Sequence, residues 1–286
     1  MILKNFSKHL WVAVVISAAA IATFGEVRTV AAQAAGDLIV APTRVVFEGR
    51  ERAAQLSLVN KGSATATCRI SVVNMRMQPD GNLVEIAQPD PGQDFAENLF
   101  RYSPRQVTLE PGASQAIRLL LRKPADLAAG EYRSHLMMRA VPDNQGQSVE
   151  APAQGAAVTL IPIFGIAIPV IVRHGDLSYG MSVKDLGYAA ADADNPLPRA
   201  TFTLERSGTR SSFGDLTASV NIDGKDVVLS QIMRLAVYTP NTTRAVEMRL
   251  RVPEGVNLSG KDLIVRYAET ADDGGKVLGE AKTRIP

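Results

Sequence analysis

Residues 156–172 read Ala156-Ala157-Val158-Thr159-Leu160-Ile161-Pro162-Ile163-Phe164-Gly165-Ile166-Ala167-Ile168-Pro169-Val170-Ile171-Val172, an almost wholly apolar run. A helix crossing a bilayer needs about 20 such residues, and this stretch falls slightly short. Pro162, Gly165 and Pro169 spoil a helix, whereas the β-branched majority favours an extended strand. A strand with one wet face alternates apolar and polar residues, and this one does not. Leu160, Phe164, Ile166 and Ile168 share one parity and Ile161, Ile163 and Ile171 the other, so both faces require burial. The two prolines lack N–H donors, which places the strand at a sheet edge. A long apolar edge aggregates unless something covers it; either a partner chain or a second domain of this chain can do so.

On both sides of this run the sequence is a series of short β-branched segments broken by Gly, Pro, Asn and Asp, which predicts an all-β protein. Before it, strands are expected at 38–48, 55–60, 66–75, 106–109, 116–122 and 132–141, with the apolar run itself, 157–173, as a seventh. The pattern resets around His174-Gly175-Asp176. A second series follows at 177–186, 200–206, 216–222, 225–229, 234–237, 245–252, 262–269 and 276–284. Asn221-Ile222-Asp223-Gly224-Lys225 and Ala271-Asp272-Asp273-Gly274-Gly275 read as hairpin turns, because Asn, Asp and Gly tolerate positive φ. Ala189–Pro198, rich in Ala, Asp, Asn and Pro, reads as a loop. The expectation is two immunoglobulin-like β-sandwich domains in tandem, residues 35–173 and 174–286.

The first residues carry Lys4 and Lys8, an apolar stretch from Leu10 to Phe24, and small residues ending Ala32-Gln33-Ala34 before Ala35. This predicts a secretory signal peptide over residues 1–34, cleaved after Ala34, with a retained membrane anchor as the competing reading. Export follows from either. About 250 residues remain, enough for two domains that each bury a core. The leader holds Lys4, Lys8, Arg28 and Glu26, so of 31 basic and 29 acidic residues the remainder is balanced. No basic excess is gathered for nucleic acid, and that class is set aside. Cys68 is the only cysteine, so no internal disulfide supports the fold, and its place in an alternating segment predicts a buried, inert thiol.

Several segments in order, Pro42-Thr43-Arg44-Val45-Val46-Phe47, Leu56-Ser57-Leu58-Val59-Asn60-Lys61-Gly62, Ser103-Pro104-Arg105-Gln106-Val107-Thr108-Leu109-Glu110-Pro111-Gly112 and Gln115-Ala116-Ile117-Arg118, resemble the PapD-like periplasmic pilus chaperone family. In that family the last strand of the first domain is lent to a pilus subunit that lacks one of its own. Val158–Val172 occupies that position. The resemblance implies that Leu160, Phe164, Ile166 and Ile168 are the apolar residues of the donor strand. It implies that Arg44 is one of two cations holding the subunit's terminal carboxylate, for which a guanidinium fork is suited. The other is normally a lysine on the long strand; the aligned residue here is Pro169, and no lysine stands between Ala156 and Val172. It also implies an interdomain ionic network of Glu131, Arg173 and Asp272 that orients the domains, worth only about 0–1 kcal/mol if the pairs are exposed. Gly130-Glu131-Tyr132-Arg133-Ser134-His135-Leu136 departs from the usual family sequence, which suggests a divergent branch.

Under the resemblance the partner is a pilus or fimbrial-type subunit. An outer-membrane usher and self-association of the free protein are further partners to test, and no cofactor or metal is expected. An enzyme would need a nucleophile with a base or a set of metal ligands. After the leader only His135 and His174 remain, in no such spacing. The rival is a structural or adhesive sandwich protein, itself a fibre subunit or a surface binding module. A fibre subunit would carry its donor segment at the mature N-terminus, whereas here the apolar strand lies between two domains.

Overall fold

The computed structural model describes residues 38–141, 164–222 and 224–286, all within one compact unit, Ala34–Pro286. The expected leader, its cleavage site and Leu160 lie outside the described residues.

The chain is nearly all β, in two immunoglobulin-like sandwiches. The first contains β1 (Leu38–Ala41), β2 (Val45–Phe47), β3 (Ala53–Asn60), β4 (Ala66–Val73), β7 (Phe100–Ser103), β8 (Gln106–Leu109), β9 (Ser114–Leu121), β10 (Gly130–Ala140) and β11 (Gly165–His174), with a small hairpin of β5 (Met75–Met77) and β6 (Leu83–Glu85). One sheet runs β1-β3-β9-β7 and the other β2-β11-β10-β4-β8. Alternating residues such as Leu56 and Leu58, Ile117 and Leu119, Leu136 and Met138 meet between them, and Phe47 and Phe100 fill the middle. Cys68 is buried in this core, and burial pushes its thiol up to about 11, so it stays an unreactive apolar side chain.

The second sandwich contains β12 (Tyr179–Ala189), β13 (Arg199–Gly208), β14 (Ser212–Ile222), β15 (Lys225–Val237), β16 (Thr243–Arg249), β17 (Asp262–Glu269) and β18 (Val277–Arg284). Its sheets are β12-β13-β16 and β15-β14-β17-β18. Phe202, Leu204, Leu216, Val220, Leu263 and Tyr267 form its centre. Gly214 is required where β14 crosses Tyr267: an added Cβ would lie 2.1 Å from the Ala268 carbonyl oxygen.

Three departures from the expected strands have local causes. The single strand expected at 38–48 breaks at Pro42–Arg44, because a residue without N–H cannot extend the β1–β3 ladder; the chain then crosses to the other sheet as β2. The segments 225–229 and 234–237 join into one strand whose irregularities are absorbed opposite Gly214–Leu216 and Ala218–Ser219. Strands β6 and β7 are too short to show a period, and β6 is exposed along its whole length.

Candidate partner-binding strand and interdomain cleft

Strand β11 has two unlike halves. Strand β10 flanks its whole length, from Gly165↔Arg139 to His174↔Gly130, but β2 pairs with it only at Val170, Ile171 and Val172, in parallel. Among the described residues, Gly165–Pro169 therefore has one unpaired edge, while Val170–Val172 is interior to the sheet. The edge placement read from the prolines applies to the first half and not to the second.

The side chains explain why this strand does not alternate. Ile166, Ile168, Val170 and Val172 face the core of the first sandwich, and Ile171 on the opposite face packs with Met77, Ala236 and Tyr238 beneath the second. Ile168 is only 2% exposed and belongs to its own domain's core, which corrects its assignment as a residue offered to a partner. Ile166 is half-buried against the same core. Phe164, 49% exposed, is the member of the described set that stands in solvent.

Cross-strand neighbours share a face, so the face of β11 carrying Pro169 and Ile171 also carries His135 and Arg133, their partners on β10. From β2 the same face receives Val46 and, just before the strand, Arg44. The second sandwich supplies the opposite wall of this cleft with Phe213 and Tyr238. The Arg44 guanidinium lies 4.1 Å from the Phe213 ring centroid, and that of Arg133 lies 4.2 Å from Tyr238. His135 meets Tyr238 edge-on at 6.4 Å. Burial lowers the pKa of both arginines, and it takes His135 down to about 3, helped by the Arg133 charge, so its ring is neutral. Arg44 Nη1, Arg133 Nε and Nη1, and both His135 nitrogens have no hydrogen-bond partner among the described residues. The sequence offered a signal for Arg133 and His135, two cationic residue types two positions apart on one face of a strand.

Glu131 and Arg173 are brought together, opposite one another on β10 and β11, with Arg173 Nε donating to Glu131 at 3.0 Å. The Glu131 carboxylate also accepts the Ser211 backbone N–H at 3.1 Å, the Ser211 hydroxyl, and Thr239 Oγ1 at 3.4 Å. Arg173 Nη1 reaches Glu48 at 2.8 Å. Burial opposes the Arg173 charge, but the two carboxylates outweigh it and the net direction of its pKa is upward. Asp272 does not join this group. It sits in an exposed turn between β17 and β18 and has no ion pair among the described residues; Ser211, Thr239 and Glu48 stand where it was expected.

Residues 37–174 match the family described as pili and flagellar-assembly chaperone, PapD N-terminal domain. The first sandwich belongs to this PapD N-terminal domain family. Among solved structures it is similar to the CupB2 chaperone of Pseudomonas aeruginosa, at 13% identity over 86% of this chain and 100% of that one, with a TM-score of 0.40. It is also similar to a chain of the CsuC–CsuE chaperone–tip adhesion subunit complex from the archaic chaperone-usher Csu pili of Acinetobacter baumannii (13%, covering 87% and 99%, TM-score 0.43). A third is the Salmonella enterica SafA pilin complex with the SafB chaperone (14%, covering 87% and 96%, TM-score 0.38). No curated protein sequence matches the chain. In this cleft β11 carries Pro169, and the neighbouring strand β10 carries Arg133 and His135.

Proposed function

We propose that this PapD-like protein is a periplasmic chaperone that holds pilus-type subunits by lending them strand β11 and the apolar residues leading into it. One observation carries the reading: a strand fixed at Val170–Val172 continues into Gly165–Pro169 with an edge that no described residue pairs and an exposed Phe164. Such an edge pairs with an incoming backbone by strand addition, and an apolar side chain beside it fills a groove. The role is binding rather than catalysis. Phe164, Ile166 and the preceding Leu160 enter the subunit, and Arg44 at the cleft receives its terminal carboxylate. The Glu131–Arg173 joint, with Ser211 and Thr239, sets the angle between the sandwiches. Export with cleavage after Ala34 belongs to the same reading, and N-terminal sequencing of periplasmic protein tests it.

The central test is copurification from periplasm followed by mass spectrometry, comparing wild type with Phe164→Asp. Subunits with an N-terminal donor extension are expected with wild type and not with the variant. Their retention by a folded Phe164→Asp variant would overturn strand donation.

A further inference from the structure

Glu131 is the only buried carboxylate among the described residues, and Arg173, Ser211 and Thr239 already occupy it. Around it the cleft holds further guanidinium groups. Arg206 donates to the carbonyls of Asn241, Gly208 and Arg210, and Arg244 to that of Ala236. Among the described residues Arg44 and Arg133 have no acidic partner, each lying over an aromatic ring. A buried charge is normally paired, because desolvation of the ion is otherwise uncompensated. Arg44 Nη1 and Arg133 Nε and Nη1 have no acceptor among the described residues, the Arg44 charge lowers the Arg133 pKa and Arg173 lowers that of Arg44, so together they form a site short of an anion.

The geometry points to Arg133 as the second cation of the carboxylate site, receiving with Arg44 the C-terminal carboxylate of a bound peptide chain. This rests on the reading of Arg44 in the preceding subsection. Arg133 is 2% exposed and lies opposite Ile171, diagonal to Pro169 across the β10–β11 ladder, where side chains on one face come within reach of each other. It thus enters the same cleft from β10 that a cation at position 169 would enter from β11. Its Nη2 contacts with the Met75 and Thr239 carbonyls are both 3.3 Å, long for N–H···O bonds, and its Nε and Nη1 have no acceptor among the described residues. Arg44 Nη1 with Arg133 Nε and Nη1 offers three unused donors to the two carboxylate oxygens. The neutral His135 beside them adds no competing charge.

The experiment uses the full mature chain and two probes, N-acetylglycylglycine with a free carboxylate and its C-terminal amide, followed through the arginine Nε–H resonances. The free acid is expected to shift both the Arg44 and the Arg133 signals, and the amide neither. Arg133→Met is expected to weaken binding of the acid at least tenfold, with Arg133→Lys recovering part of the loss. A response at Arg44 alone, or wild-type affinity in a folded Arg133→Met variant, would overturn the role of Arg133 and leave the Arg44 anchor standing. Equal response to acid and amide would overturn the anchor itself. If Arg133→Met does not fold, the wild-type resonances decide the matter by themselves.

Discussion

Glu131 in the first sandwich accepts the backbone N–H of Ser211 in the second at 3.1 Å. The same carboxylate holds Arg173, and its side chain is wholly buried, so the joint is unlike the exposed pair that sequence alone suggested. Breaking a buried pair from one side strands the remaining charge and costs about 3–5 kcal/mol. Glu131→Leu is therefore expected to lower the unfolding free energy by that amount in chemical denaturation, against less than 1 kcal/mol for an exposed pair. Asp272→Ala, at an exposed residue with no ion pair among the described residues, should change stability by about 0.5 kcal/mol or less.

Phe164 and Ile168 lie on one side of β11 but answer to different demands. Phe164→Asp should leave the unfolding midpoint near wild type, because that side chain is already in solvent, while capture of subunits is lost. Ile168→Asp places a charge in the first core and should unfold the domain, a cost of more than about 4 kcal/mol. If both variants fold and differ only in capture, the core assignment of Ile168 is wrong.

The buried, neutral His135 makes stability depend on acid. Its folded pKa falls from the ordinary 6.5 to about 3, by burial first and by Arg133 second. The unfolded chain therefore takes up the proton first, and stability is lost as pH falls from 6.5 toward 3. Between pH 7 and pH 5 the loss from this one group is about 2 kcal/mol. Denaturation at the two pH values should show that drop in wild type and a clearly smaller one in His135→Gln.

Arg44→Ala should weaken binding of a peptide with a free C-terminal carboxylate at least tenfold and leave the amidated peptide unchanged. Arg44→Lys should recover only part, since an ammonium lacks the fork and stacks less well on Phe213. Calorimetric titration of wild type and both variants with each peptide gives the answer directly.

Much of this was legible in the sequence, and what was not has physical reasons. Alternation in segments such as 66–73 and 114–121 reports a face in a core, so the strands and the two sandwiches could be read from it. The absence of alternation at 165–172 said that both faces are buried but not by what. The answer required knowing that Ile171 meets Tyr238, a residue far along the chain in the second sandwich. Arg44 stands out through the family pattern, whereas nothing local marks Arg133, since a charged residue inside a strand ordinarily points to water. The position of Asp272 failed for the converse reason. A turn rich in acid fits an ionic network by type, yet nothing local tells which turn reaches the joint, and here Ser211 and Thr239 do.

Strand β11 is built like a cantilever. Its root is clamped at Val170–Val172 by β2 on one side and β10 on the other, and among the described residues the beam from Pro169 back to Gly165 is supported on one side only. Load on the beam, such as a partner strand pulling away, is borne at the root by two ladders and by Val170 and Val172 packed in the core. Substitutions along the beam can therefore alter which partners are gripped while the clamp keeps its shape, so selection can retune this arm without rebuilding the body that carries it.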